Sequence, residues 1–410
     1  MANTFNLGNG NWAQKTEKLL AYNAENDNYK PLPFDFDRGS TATRVNRGGL
    51  IETVATDEPR IDFTNNTKGH LLLEPSRSNL VTYSEDFSQG YWVKDDVTLE
   101  SASITDPSGG TGAYLMKGNT NSSRHNIRAN SDTTTDSIIS VFAKKKDLRY
   151  LQLGSAHSGN QYANFDLETG VIGAVGSDFS NVKIENYGNG WYRLSAKANS
   201  QNSDVYISLV SSSTAGWLET WSMDNATDGL YLWGAQHEEG SYATSYIPTS
   251  GSAVTRSADV CNNAGNSNVF NDSEGVLYAE IAALADDDTF RFITLSDGTS
   301  NNTVRIYLYN AIYGRVLVGG AEQCVFSTTS YNVTDYNKIA ILYSENNFKM
   351  YVNGSQVGTT DTSGSIFPQG TLDELSFHRG DSQFKFYGNC KNLQVFNEAL
   401  SDSELIALTT

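Results

Sequence analysis

The chain has 410 residues, of which 38% are hydrophobic and only 19% are charged, with 35 Gly, 22 Tyr and 18 Phe. This length allows two or three domains that each bury a core, and the composition is typical of short strands joined by turns. The formal net charge of −18 argues against DNA or RNA as a partner, because phosphate backbones require clustered Lys and Arg.

The amino terminus lacks the features of a secretory signal. Residues 1–10 contain neither a positive n-region nor an apolar core, and no stretch of the chain is apolar enough to span a bilayer. We therefore expect a protein that is made in the cytoplasm and does not insert into membranes.

Residues 1–84 predict a short, partly irregular segment. Residues 13–22 (AQKTEKLLAY) predict a helix, and the prolines at 31 and 33 argue against a regular strand ladder in the stretch that follows. The segment is more apolar than a lead-in requires, so we expect it to contact a partner protein or, alternatively, to pack on the first domain. The side chains expected to make these contacts are Phe5, Trp12, Leu20, Phe34 and Phe36.

Residues 85–260 predict a first antiparallel sandwich. In residues 204–210 (DVYISLV), Val205, Ile207 and Leu209 alternate with polar neighbours, which is the period of a half-buried strand. Residues 229–236 repeat this alternation, and residues 186–194 (NYGNGWYRL) predict a turn that leads into an aromatic strand. Such runs without intervening helices favour a sandwich.

Residues 266–410 predict a second sandwich, after a polar boundary segment at 257–273. Residues 305–309 (RIYLY), 338–343 and 348–352 alternate as strands do, and Asn353 with Gly354 predicts a type I′ hairpin turn. Ser401 and Glu404 predict a capping box for a short final helix. The predicted fold is all-β, with two antiparallel jelly-roll β-sandwiches preceded by the segment 1–84.

Three cysteines occur in the last third of the chain, at Cys261, Cys324 and Cys390. Their spacing contains no C-x-x-C pair, which argues against a zinc site or a disulfide framework. A single disulfide between two of the cysteines, with the third as a free thiol, remains an alternative.

The loop 216–228 holds the candidate residues for a sugar site. A sugar site needs an aromatic face for the apolar side of a pyranose and polar groups for its hydroxyls. The candidates are Trp217, Trp221, Glu219, Asp224 and Asn225. Alternatively, one or both tryptophans cover the edge of the sandwich, while Trp191 and Trp233 are expected in the core.

Three consecutive acids, Asp286, Asp287 and Asp288, are the candidate calcium ligands, because hard cations require several oxygen ligands. The alternative is a solvated acidic loop, so calcium is the only cofactor that the sequence leaves open. The five histidines form no recognisable catalytic motif, and adjacent acids in a strand point to opposite faces. We therefore expect no enzymatic activity.

Three stretches resemble known families. Residues 348–354 (FKMYVNG) with 387–405 (YGNCKNLQVFNEALSDSEL) resemble the end of a laminin-G-like or concanavalin A-like domain. Residues 187–194, 231–240 and 244–249 resemble a carbohydrate-binding-like sandwich of phage fibres and of some polysaccharide-degrading enzymes. Residues 42–52 (ATRVNRGGLIE), 59–63 and 71–80 (LLLEPSRSNL) resemble the lead-in of tailed-phage structural proteins.

The resemblance implies a structural protein of a phage virion, a head or tail fibre or decoration protein. It would lie on the virion surface, bind capsid or tail proteins through its first segment, form a homo-oligomer that the resemblance makes a trimer, and attach to host or environmental glycans. Two alternatives stay open. One is a polysaccharide depolymerase or its accessory carbohydrate-binding modules, and the other is a purely structural virion component without a ligand.

Overall fold

The computed structural model describes residues 4–21, 33–133, 135–155, 158–199 and 202–410. The strands of the first half are β1 (Phe5–Gly8), β2 (Ala13–Lys15), β3 (Lys18–Leu20), β4 (Phe34–Asp37), β5 (Ala42–Val45), β6 (Ile51–Val54), β7 (Ile61–Asp62), β8 (His70–Leu73), β9 (Arg77–Asn79), β10 (Val93–Asp95), β11 (Val97–Ser101), β12 (Tyr114–Gly118), β13 (His125–Thr133), β14 (Ser137–Lys145), β15 (Tyr150–Gly154), β16 (Tyr162–Asp166), β17 (Val171–Val175), β18 (Phe179–Asn186), β19 (Trp191–Ala198) and β20 (Asn202–Leu209). Those of the second half are β21 (Gly229–Glu239), β22 (Val254–Arg256), β23 (Val260–Asn262), β24 (Glu274–Ala283), β25 (Arg291–Ser296), β26 (Thr303–Leu308), β27 (Ile312–Val318), β28 (Ala321–Thr328), β29 (Asn337–Ser344), β30 (Lys349–Val352), β31 (Ser355–Gln356), β32 (Glu374–Ser376) and β33 (Gly388–Phe396), followed by the helix α1 (Asp402–Thr409).

The chain forms two compact units, and each unit is built from separate stretches of sequence. Unit 1 contains Met1–Thr41, Val54–Pro75 and Ser257–Thr410, whereas unit 2 contains Ala42–Thr53 and Ser76–Arg256. The fold is all-β and antiparallel, as predicted. The division differs from the three consecutive parts expected from the sequence, because strands from residues 1–84 complete sheets in both units.

Unit 1 contains a sandwich of two antiparallel sheets. The first has eight strands in the order β31-β30-β29-β24-β33-β8-β7, with β1 pairing β33 as well, and the second has five in the order β28-β27-β26-β25-β32. Side chains from both sheets, such as Ile341 and Ile306, share one core. On the other side of the larger sheet, Leu400 and Leu405 of the terminal segment join a smaller apolar cluster. The helix α1 therefore covers the outer face of the larger sheet.

Two local predictions in unit 1 are confirmed. Asn353 and Gly354 have φ angles of 48° and 80° and join β30 to β31, as the hairpin turn requires. Ser401 caps α1, and the Glu404 side chain accepts the Ser401 backbone N–H at 2.8 Å.

The helix predicted at residues 13–22 is wrong within the part of the chain that the structure describes, which ends here at Ala21. Residues 13–20 form a hairpin in which Ala13 pairs with Leu20 and Lys15 with Lys18. Strand β3 then pairs with β4, and Leu19 is fully buried in the core of unit 1. The tertiary pairing overrides the weak helical preference of this sequence.

The expected anchor side chains lie in different surroundings. Phe5, Phe34 and Phe36 are buried in the core of unit 1, where the ring of Phe34 lies 5.7 Å from Phe5 and 5.1 Å from Phe377. Trp12 packs against the same core and Leu20 is half-buried. A regular ladder begins at Phe34, directly after Pro33, while Pro31 lies outside the described residues. The three phenylalanines thus have partners within the chain, and contact with another protein stays a prediction.

Unit 2 is a sandwich of two six-stranded antiparallel sheets, β10-β13-β20-β15-β16-β17 and β11-β12-β21-β14-β19-β18. Val205, Ile207 and Leu209 of β20 point into the shared core, as their alternation predicts. On the outer face of the second sheet a further apolar cluster contains Trp191 and Trp233, together with residues of the β5–β6 hairpin. Both tryptophans are buried, as expected.

All three cysteines are buried and free of disulfides in this structure. Among the described residues, no helix has the length and apolar character needed to cross a membrane.

Candidate functional site

The outer face of the five-stranded sheet in unit 1 presents aromatic and cationic side chains. Ile293 and Ile306 point into the core, so the residues between core positions on β25 and β26 point outward. The pairing register aligns such outward residues in rows across the sheet. One row runs from Phe292 through Tyr307 to Tyr313.

This row belongs to an aromatic ladder of six side chains: Phe290, Phe292, Tyr307, Tyr309, Tyr313 and Phe384. The rings of Phe292 and Tyr307 stack at 4.6 Å, and those of Tyr307 and Tyr313 stack at 4.6 Å with planes 2° apart. Phe290 and Phe384 remain 37% and 46% exposed. The ladder therefore offers apolar ring surface to a ligand.

The neighbouring row on the same face contains Thr294, Arg305, Arg315 and Val325 on successive strands. The Arg305 guanidinium lies 5.9 Å from the centre of the Phe292 ring, and the Arg379 guanidinium lies 4.7 Å from that of Phe384. We call the ladder together with Arg305, Arg315 and Arg379 the aromatic–arginine face.

Arg305 differs from its two neighbours in its pairing. Arg315 forms an ion pair with Glu322 at 2.7 Å, and Arg379 hydrogen-bonds Asp381 at 3.1 Å. Arg305 is only 4% exposed and forms no ion pair with any described residue. Its Nη2 donates to the Ser300 carbonyl at 2.7 Å, but within the described part of the chain its Nε has no hydrogen-bond partner, and neither has the hydroxyl of Thr294 in the same row.

The charge of Arg305 is held in an unfavourable environment. Burial, followed by the positive charges of Arg315 and Arg379, lowers the pKa of Arg305 to about 10. The guanidinium is still protonated at neutral pH, and the nearby carboxylate of Asp381 is already paired with Arg379. An anionic group on a ligand would supply both the missing charge and the missing acceptor, in the bidentate geometry that arginine favours.

A groove of about 460 Å³ borders this face at its edge strand β28. It is lined by Val325, Ser327 and the loop 357–362. Val325 is 51% exposed and lies in the row of Arg315, so the groove extends the face sideways. Its volume lies within the range of small-ligand sites.

The structure separates the sugar-binding candidates predicted in the loop 216–228 of unit 2. Trp217 lies over Gly154, and its ring is 5.4 Å from that of Tyr206 on the outer face of the first sheet. Glu219 accepts hydrogen bonds from the backbone and hydroxyl of Ser211 and so closes the loop. Both therefore belong to one loop that packs on this face.

The remaining candidates lie elsewhere. Trp221 packs against the core of unit 2 and donates its indole N–H to the Leu209 carbonyl at 3.2 Å. This position fits the alternative interpretation, in which the tryptophan covers the edge of the sandwich. Asp224 is exposed, and Asn225 bonds Asp228 at 3.4 Å. A sugar-binding role for these three residues stays a prediction.

The predicted calcium ligands do not form a carboxylate cluster. Asp287 pairs with the buried Arg291 at 2.7 Å, whereas Asp286 and Asp288 are exposed. Among the described residues, no group of three or more His, Cys, Asp or Glu side chains is placed to hold a metal ion. Asp287 therefore has a structural partner, and calcium binding stays a prediction.

Sequence reasoning missed the aromatic–arginine face, although its signal was present. The alternation in residues 305–309 (RIYLY) predicts a strand and assigns Ile306 and Leu308 to the core. The same alternation places Arg305, Tyr307 and Tyr309 together on the opposite face. Their partners on β25 and β27 and in the loop at Phe384 depend on pairing that the sequence does not reveal.

Comparison with protein families concerns this same part of the chain. Residues 262–406 match the family described as the concanavalin A-like lectin/glucanases superfamily. The C-terminal part of the chain contains a concanavalin A-like domain. The aromatic–arginine face lies within this concanavalin A-like domain, and the predicted resemblance is confirmed for it. No curated protein matches the chain.

Several solved structures resemble parts of the chain. One is the carbohydrate-binding module CBM40 of the Ruminococcus gnavus IT-sialidase, bound to α2,3-sialyllactose. The two sequences are 18% identical, the match covers 36% of this chain and 92% of the module, and the TM-score is 0.31. The SAP-like pentraxin of Limulus polyphemus is 15% identical over 34% of this chain and 70% of its own, with a TM-score of 0.29. Domains LG4-5 of the mouse laminin α1 chain are 9% identical to this chain, and the match covers 69% of this chain and 90% of the laminin domains, with a TM-score of 0.25. Values this low assign no ligand to the chain.

Proposed function

We propose that this protein binds acidic saccharides through the aromatic–arginine face of its concanavalin A-like domain. The observation that carries the proposal is the position of Arg305, a buried guanidinium that forms no ion pair with any described residue, beside a ladder of six aromatic rings. Sugar rings stack on aromatic faces, and carboxylate or sulfate groups bind arginine. A carboxylated or sulfated glycan combines both features.

The local charge supports an anionic ligand despite the acidity of the chain. The net charge of −18 repels anions at long range, but this repulsion is screened beyond about 10 Å at ordinary salt. Within the face, Arg305 is already removed from water, so ligand binding adds little further desolvation of the protein. The ladder also holds the guanidinium and the rings in place, which limits the entropy lost on binding.

We further propose that the protein acts on the surface of a phage virion, as a head or tail fibre or decoration protein. This part rests on the sequence resemblance of residues 42–52, 59–63 and 71–80. Many copies on one particle would raise the effective concentration of weak sites and so strengthen attachment to a host or environmental glycan.

The binding proposal is tested with the purified chain and two soluble polysaccharides, polygalacturonate and dextran sulfate, in a titration calorimeter. Arg305→Gln is expected to weaken binding about tenfold or more, because a charge-assisted contact contributes roughly 1.5–3 kcal/mol. Phe290→Ala, at an exposed ring, should weaken binding severalfold. Lys68→Gln removes an exposed cation of unit 1 outside this face and should leave affinity unchanged.

Circular dichroism establishes that each variant is folded. Wild-type affinity in folded Arg305→Gln and Phe290→Ala would rule out this face as the site. Release of reducing ends from either polysaccharide would instead favour the depolymerase alternative. The absence of binding to any member of a glycan array would favour the purely structural one.

A further inference from the structure

The outer face of the first sheet of unit 2 carries a polar row across five strands. Core residues such as Ile127 and Ile207 alternate with outward residues on these strands. The pairing register aligns the outward residues in the order Asp95, Asn126, Ser208, Gln152 and Asn164. Such a row is unusual on a sheet face that is largely buried.

One end of this row is satisfied by the loop 211–219. Gln152 donates to the Gly216 carbonyl at 2.9 Å and accepts the Leu218 N–H at 2.9 Å. Asn164 donates to the Ala215 carbonyl at 2.7 Å. These contacts fix the loop on the sheet and thereby position Trp217.

The middle of the row is not satisfied. Asn126 donates its amide N–H to Asp95 at 3.0 Å, but no described residue hydrogen-bonds its Oδ1 or the hydroxyl of Ser208 opposite it. Both residues are at most 2% exposed. Buried polar atoms without partners carry a free-energy cost, which a ligand hydroxyl or a water beneath a ligand would remove.

The next row on the same face supplies a ring surface. It contains Arg128, Tyr206 and Gly154 on neighbouring strands. A Cβ at Gly154 would lie 2.0 Å from the Trp217 ring, so only glycine allows the indole to lie this close to the sheet. The Trp217 and Tyr206 rings stand at 70° to each other, 5.4 Å apart. Trp217 and Tyr206 are both half-buried and keep part of their surface open.

The charges of this second face disfavour an anionic ligand, whereas those of the aromatic–arginine face favour one. Arg128 lies 3.8 Å from Asp95 and 3.5 Å from Asp204, so two carboxylates flank the guanidinium. The three groups carry a net charge of −1. An acidic sugar would be repelled here, whereas neutral hydroxyl groups could donate to the carboxylates and to Asn126 Oδ1.

We propose that the face formed by Trp217, Tyr206, Arg128, Asn126 and Ser208 is a second saccharide site, selective for neutral sugars. The indole of Trp217 stacks on the apolar side of a pyranose, and the polar row below it receives the hydroxyls. The site lies wholly within unit 2 and does not depend on the acidic-saccharide site of unit 1.

The test uses the full chain and four neutral polysaccharides, dextran, laminarin, galactan and mannan, in affinity electrophoresis, with polygalacturonate as the acidic arm. The wild type should be retarded by at least one of the four. Trp217→Ala is expected to lower that affinity at least tenfold while leaving polygalacturonate binding unchanged. Tyr231→Phe is the control, since this half-buried residue lies on β21 in the other sheet of unit 2 and outside this face, and it should bind as the wild type does.

A second variant guards against misfolding of Trp217→Ala. Gly154→Ala keeps the indole but displaces it from the sheet, so it should also lose neutral binding and shift the tryptophan fluorescence. Wild-type affinity for neutral polysaccharides in both variants would overturn the proposal, as would retardation of the wild type by none of the four. If Arg305→Gln loses polygalacturonate binding but keeps neutral binding, the result concerns only the acidic-saccharide site of unit 1.

Discussion

At the scale of single residues, the structure contains several polar groups whose burial changes their chemistry. Burial, followed by the positive charges of Arg315 and Arg379, lowers the pKa of Arg305 to about 10, so its guanidinium stays charged at neutral pH. His237 shows the same effect of burial. It is fully buried in unit 2, with Ser131 at 2.8 Å from Nδ1 and Ser137 at 2.9 Å from Nε2.

His237 predicts a pH dependence of stability in unit 2. Burial lowers its pKa from 6.5 to about 4, so between these values the unfolded chain binds a proton that the folded chain does not. Stability should therefore fall as the pH falls from about 6.5 to 4, by at most roughly 3 kcal/mol from this group. Urea unfolding at pH 7 and pH 4.5 measures the loss, which should be smaller in His237→Gln. An equal loss in both proteins would contradict the assignment.

At the scale of elements, the first strands of the chain are held by buried charges as well as by apolar packing. Arg60 pairs with Glu74 at 2.7 Å and with Asp259, and Asp259 also pairs with Arg38 at 3.2 Å. These residues flank β4, β7, β8 and β23, so one carboxylate connects the stretches of unit 1 that precede and follow residues 76–256. Burial opposes the charge of Arg60, but Asp259 and Glu74 raise its pKa overall.

Asp259→Asn is expected to destabilise unit 1 by roughly 3–5 kcal/mol, because it removes the carboxylate that pairs with the buried Arg38 and one of the two that pair with the buried Arg60. The control is Asp35→Asn, which removes an ion pair with Lys18 whose two side chains are 47% and 42% exposed. That change should cost no more than about 1 kcal/mol. Chemical unfolding measures both, and similar small losses would show that the buried cluster contributes little to stability.

At the scale of the whole molecule, two cores are formed by an interleaved chain. Unit 1 takes residues from the beginning and end of the sequence, while unit 2 takes the middle together with the hairpin β5–β6. In each unit an added element covers the outer face of one sheet, α1 in unit 1 and the β5–β6 hairpin in unit 2. The candidate sites lie on the outer faces of the other sheets.

Because each unit has its own core, we expect two unfolding transitions in differential scanning calorimetry. Ile341→Ala in unit 1 and Ile207→Ala in unit 2 remove the same atoms from fully buried positions. Each should cost about 2–5 kcal/mol and lower the midpoint of one transition only. A single transition that both variants lower equally would instead indicate one cooperative unit.

The sequence by itself determined the fold class, because alternation with a period of two is a local property of each strand. It also located the turn at Asn353, the cap at Ser401 and the core positions of β20. The concanavalin A-like resemblance was recognisable for the same reason, since its motifs lie within short stretches.

Tertiary structure decided the rest, because pairing between distant strands leaves no local pattern. Residues 13–20 form a hairpin instead of a helix since β4 and the core of unit 1 receive Leu19. Arg305 meets Phe292 and Arg315 only after β25, β26 and β27 align. Trp217 and Trp221, four residues apart in one loop, separate because one lies over Gly154 and the other reaches the Leu209 carbonyl. Which side chains share a face depends on strand register, and register depends on the whole fold.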